Sequence, residues 1–178
     1  MPGLRVLVVS PFAAHSGRGN AVTAARVARR LASAGARAEV VHANESFALG
    51  QALREAWPDV LVGIHAGHFS RALDVAGVRL GPDGGHFDGQ TRHTPAIVLG
   101  LGGNELDEDL GVSPGDDERG HVRSASWALF ERADAVLVAS EYQYELAAER
   151  RPGGFFLVPR YPEIGFGPIE GLAEKLAA

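Results

Sequence analysis

The sequence predicts an α/β domain of three layers, with a mainly parallel sheet covered by helices on both sides. Three observations carry that expectation. Short, almost unbroken apolar runs of strand length recur along the 178 residues, segments with helical apolar spacing lie between them, and the first run passes through a glycine-containing turn into an amphipathic stretch. Runs that are apolar on successive residues belong inside a sheet buried on both faces, and parallel strands are joined by helical crossovers. The outcome is a Rossmann-like domain. At 178 residues the chain has core for one such domain, so residues 1–178 are expected to form a single unit.

The strand-like segments are Leu4 to Ser10, Ala38 to His42, Val60 to Ile64, Ala96 to Leu101, Ala135 to Ala139 and Phe155 to Val158. Between the first two, Asn20 to Ala34 places Val22, Ala25, Val27, Ala28 and Leu31 at helical intervals and stops at Gly35, a normal C-terminal signal. A second helix is expected over Glu45 to Ala56, ended by Trp57-Pro58, a third from near His68, a fourth over Glu118 to Arg132, and a fifth after Ser140 as its N-cap. Val78 to Thr94 carries several glycines, Pro82 and two histidines without a hydrophobic period, and is expected to be a long surface loop. Asp107 to Asp117 is a second irregular, acidic segment.

Composition excludes several classes of chemistry. There is no cysteine, hence no disulfide framework, thiolate metal site or cysteine nucleophile. The net charge of -5 is scattered along the chain, which argues against a nucleic-acid surface or a polybasic membrane anchor. No secretory leader pattern and no apolar run long enough to span a bilayer is evident, and a cytoplasmic location is expected. The G-x-G-x-x-G dinucleotide fingerprint and the G-x-x-x-x-G-K-[ST] phosphate loop do not occur.

Ligands of open α/β sheets lie beyond the carboxyl ends of the strands, so the residues that follow each strand are the candidates. After the first strand come His15, Ser16, Gly17, Arg18, Gly19 and Asn20; after the third, His65 and His68; after the fourth, Gly102, Gly103, Asn104 and Glu105; after the fifth, Ser140, Glu141 and Tyr142. Glycines at 17 and 19 let backbone approach a ligand, and the helix that follows offers free N–H groups and a positive dipole end suited to anions or sugar phosphates. The competing reading of this stretch is a plain strand-to-helix turn with Asn20 as N-cap. His65 and His68, with His86, Asp88 and His93 nearby in sequence, raise a metal site, but no recognised ligand spacing supports one. His65 is read instead as a hydrogen-bonding residue at a strand end. No resident metal and no cofactor is expected.

Four segments occur in an order that resembles the N-terminal half of family 4 retaining glycosyltransferases. They are Gly19-Asn20-Ala21-Val22-Thr23-Ala24-Ala25-Arg26, Ile64-His65-Ala66-Gly67-His68-Phe69-Ser70, Leu101-Gly102-Gly103-Asn104-Glu105-Leu106-Asp107-Glu108-Asp109 and Glu131-Arg132-Ala133-Asp134-Ala135-Val136-Leu137-Val138. The likeness is nearest to a bacterial subgroup that includes selenosugar synthases, whose first helix begins G-N-R-x-T-A and whose fourth strand runs into L-T-G-T-D-L. Such enzymes have the GT-B architecture, two Rossmann-like domains facing across a cleft, and this chain resembles the first. The resemblance implies that it holds a small-molecule acceptor while a partner domain or donor-binding subunit holds the nucleotide sugar. It also implies that Gly17 and Gly19 approach donor phosphate and acceptor, and that Glu105 contacts the transferred sugar. Ala21 stands where the subgroup has arginine, and Gly102 and Asn104 where it has threonines. No catalytic residue is assigned to this half. The alternative is a non-catalytic module of the same fold that binds a sugar or phosphorylated metabolite.

Overall fold

The computed structural model describes residues 3–43, 46–81, 84–101, 126–150 and 153–157. Six strands form one sheet: β1 (Arg5–Ser10), β2 (Arg37–His42), β3 (Val60–Ile64), β7 (Ala96–Gly100), β8 (Ala135–Val138) and β9 (Phe155–Leu157). Their order is β2-β1-β3-β7-β8-β9 and every neighbouring pair is parallel. This is the Rossmann-like, three-layer α/β arrangement the apolar runs predict. β1 is an interior strand, one in from the β2 edge, while β3 and β7 occupy the middle.

Side chains along the strands alternate between two cores. Leu7, Val9, Leu61, Leu99 and Val136 meet α2 (Ser46–Glu55) and α3 (Ala66–Val75) through Leu49, Leu53, Phe69 and Leu73. Val6, Val8, Val62, Val98 and Leu137 face the other way, against Ala24 and Ala28 of α1 (Gly19–Ser33). Both faces are therefore apolar, which is why the strands show no polar alternation. Gly63 fits the same packing: a Cβ there would fall 2.0 Å from the Phe69 ring, so only glycine lets α3 seat that ring on β3.

The helix ends follow from local chemistry. α1 closes on Gly35 at φ 90°, with the Gly35 and Ala36 N–H groups donating back to Ala32 and Leu31. Residues 126–132 are helical. α4 (Glu141–Arg150) starts as expected on Ser140, whose Oγ accepts the Gln143 N–H at 3.2 Å, while Gln143 Oε1 accepts the Ala139 N–H at 2.8 Å.

The expected loop over Val78 to Thr94 is instead largely an antiparallel meander, β4 (Arg79–Gly81), β5 (Gly84–Phe87) and β6 (Gln90–Arg92). Asp88 and Gly89, at φ 53° and 72°, make the two-residue hairpin between β5 and β6, in which both central residues need positive φ. Phe87 is buried and stacks on Trp57 at 5.9 Å, and the Trp57 indole donates to the His93 carbonyl at 2.9 Å. Arg132 donates to the carbonyls of Leu80 and Gly81. Trp57 precedes β3, His93 precedes β7 and Arg132 precedes β8, so these ties place the meander at the amino ends of the main strands.

Candidate ligand site at the carboxyl edge

α1 lies on one face of the sheet and α3 on the other, so the connections leaving β1 and β3 part between these two neighbours. The crevice they leave is the topological switch point, where open α/β sheets take their ligands. The β1 exit is held from below: the buried Ser10 hydroxyl donates to the Phe12 carbonyl at 2.7 Å and accepts the Phe12 N–H at 3.3 Å. A short 3-10 turn, Ala14–Ser16, ends on Gly17, which is left-handed at φ 65°. Ser16 Oγ accepts the Arg18 N–H at 3.4 Å.

Arg18, not Asn20, occupies the N-cap position of α1, with extended backbone and no side-chain cap. Its carbonyl accepts the Val22 N–H at 3.1 Å and so opens the helix one residue earlier than expected, leaving Asn20 inside the first turn. Without a side-chain cap, the first N–H groups of α1 remain available to a ligand. A Cβ at Gly17 or at Gly19 would meet nothing within 4 Å, so this end is open in front of the backbone.

The β3 exit faces it. His65 has φ 75° and ψ 111°, a conformation that side chains rarely adopt. Such a residue costs about 1–3 kcal/mol and persists where its surroundings fix it. Here the His65 N–H donates to Gly100 O at 2.8 Å and its carbonyl accepts the Phe69 N–H at 3.0 Å, so the strained residue joins β3, β7 and α3.

Rings then bridge the crevice. His65 and His68 meet edge to face at 4.7 Å, His68 lies 5.8 Å from Phe12, and the Arg18 guanidinium sits 4.3 Å above the Phe12 ring. A cation over an aromatic face at an exposed site contributes about 0.5–1 kcal/mol, enough to bias where Arg18 rests without burying its charge. The structure thus brings Ser16, Gly17, Arg18, Gly19 and Asn20 to the same edge as His65 and His68. Phe12, absent from the sequence-derived candidates, is what connects them; its signal was being the one aromatic residue between β1 and α1. Gly103, Asn104 and Glu105, together with Gly102, lie outside the described residues.

His86 and His93 do not join this group. His86 bonds Thr91 at 3.2 Å within the meander, and His93 Nε2 lies 3.1 Å from Pro58 O and 3.9 Å from an Asp59 carboxylate oxygen, all at the opposite edge. His86, Asp88 and His93, at the meander edge, are therefore not brought together with His65 and His68. Among the described residues no group of three or more potential ligands could hold a metal ion.

No protein-family model matches the chain, and no curated protein matches it. No helix among the described residues is long and apolar enough to cross a membrane.

Proposed function

We propose that the chain is the acceptor-side domain of a two-domain retaining sugar transferase, taking an anionic, hydroxyl-bearing acceptor in the β1–β3 crevice while a partner domain or subunit presents the nucleotide sugar. The observation that carries this reading is the crevice itself, where the uncapped amino end of α1 and the Arg18 guanidinium are brought together with His65 and His68 around the Phe12 ring. The α1 dipole and Arg18 favour a phosphate or carboxylate, and N⁺–H donors add charge-assisted bonds to it. The two imidazoles supply hydrogen-bonding groups for hydroxyls, and the strain at His65 fits a residue held for binding more than for stability. In this role the domain binds and orients the acceptor. Holding two reactants in one geometry can lower a barrier by roughly 7–11 kcal/mol, which one wall of a cleft cannot supply alone.

A transfer assay with purified chain and nucleotide sugars, using glucose 6-phosphate as acceptor probe, tests the proposal. No turnover by the chain alone, and turnover once a donor-binding Rossmann-like partner is added, is the expected result. Turnover without a partner would refute the division of labour. Binding of the sugar phosphate without transfer in any reconstituted pair would replace a transferase with a carrier or sensor of phosphorylated metabolites.

A further inference from the structure

A second cavity opens on the α1 side of the same edge. One wall is α1, through Asn20, Thr23 and Val27; the other is the strand ends, through Ile64, Leu101 and Leu137. It measures about 40 Å³ and is open to solvent. At about 10–15 Å³ for each water-sized group, it holds roughly three such groups, too few for a sugar ring.

The lining decides what those groups are. The Thr23 hydroxyl donates to the Gly19 carbonyl at 2.9 Å, and beyond it the walls are mainly aliphatic. Asn20 differs from its neighbours: its carboxamide makes no hydrogen bond to any described residue, and it stands at the mouth, one residue from the open backbone of Gly19. An apolar notch with one unspent donor and acceptor pair at its rim matches a molecule that changes polarity along its length.

We infer that the ligand of this edge is amphiphilic, with its anionic or hydroxyl-bearing end in the β1–β3 crevice and a short hydrocarbon portion in the cleft between α1 and the ends of β3, β7 and β8. The inference rests on the crevice being a ligand site and adds the class of ligand it takes. Asn20 would bond the polar atom where the two portions join. The notch limits the apolar portion to about three carbons before it emerges into solvent.

The experiment is an NMR titration of the full chain with methyl, propyl and hexyl phosphate. Burying a methylene yields roughly a threefold to fourfold gain, so propyl phosphate should bind about tenfold more tightly than methyl phosphate, and hexyl phosphate should gain little beyond that. Amide shifts at Thr23, Val27 and Ala139 should appear with the propyl compound and be weak with the methyl one. In Val27→Phe, whose ring fills the notch, the propyl advantage should vanish while methyl phosphate binding persists. If that variant fails to fold, the chain-length-dependent shifts in the unmodified protein decide the matter. Equal affinity for methyl and propyl phosphate would overturn the inference and leave the crevice standing, as would a propyl advantage that survives Val27→Phe. Failure of all three phosphates to bind would remove the crevice reading and the inference with it.

Discussion

The two edges of the sheet use the same residue types for opposite purposes. At the amino edge, polar groups are consumed internally: the Asp59 and Asp134 carboxylates accept the Arg5 and Ile97 N–H groups at 2.8 and 2.7 Å, His93 contacts Pro58 and Asp59, and Arg132 holds the meander. At the carboxyl edge, Arg18 lies against an aromatic ring in the open, and the glycines on either side of it, Gly17 and Gly19, face empty space. A histidine at one edge ties strands together and at the other lines a crevice. What separates the roles is strand polarity, because parallel strands deliver all their outgoing loops, and the helix amino ends that follow, to one edge.

The largest effect that would sharpen this contrast is expected at Trp57. Replacing it with alanine removes the stack on Phe87, the bond to His93 and the ring against which Gly85 closes, where a Cβ would lie 2.5 Å from the indole. Denaturant unfolding of Trp57→Ala should show a loss of about 3 kcal/mol. Glucose 6-phosphate affinity should stay within twofold, provided that measurement is made where the variant is folded. A large loss of affinity would mean that the amino edge is not mere scaffold.

His65→Gly should move stability the other way. Releasing a positive-φ side chain gains about 1 kcal/mol on unfolding, while sugar-phosphate binding weakens as the imidazole is lost. A variant that is less stable yet binds as tightly would assign His65 to the scaffold. Arg18→Ala should alter stability by about 0.5 kcal/mol, the low end for an exposed cation over a ring. Its affinity for the sugar phosphate, measured by calorimetry, should fall about tenfold, as loss of a charged hydrogen bond requires. The smallest stability change is expected for Gly19→Val, within about 0.5 kcal/mol, because no atom lies within 4 Å of the new Cβ and the backbone there is not left-handed. A branched side chain at that point should nonetheless weaken binding in the same titration.

Much of this fold is legible in the sequence because six apolar runs of strand length alternate with segments of helical apolar spacing. Val60 to Ile64 and the Ser140 cap appear where the pattern puts them. The meander escaped because its outer strands have three residues each, too few for alternation, and glycines dominate its middle. The Asp88-Gly89 pair was a hairpin signal nonetheless. At the candidate site, strand polarity and the glycine-rich exit sufficed to place Gly17, Arg18 and His65 at the carboxyl edge. They could not show that His86 and His93 lie at the opposite edge or find Phe12, since edge and ring contacts depend on which crossovers pass to which face. The N-cap fell at Arg18 because the first helical bond depends on backbone conformation, which a favoured cap residue such as Asn20 does not dictate.

On the proposed reading the carboxyl-edge crevice, and not the meander edge, takes the ligand. A chemical-shift map of the labelled chain titrated with glucose 6-phosphate tests it most directly. Saturable shifts are expected at Arg18, Gly19, His65 and His68, with His86, His93 and the Trp57 indole unmoved. Shifts centred on the meander, or none at the crevice at saturating sugar phosphate, would contradict it.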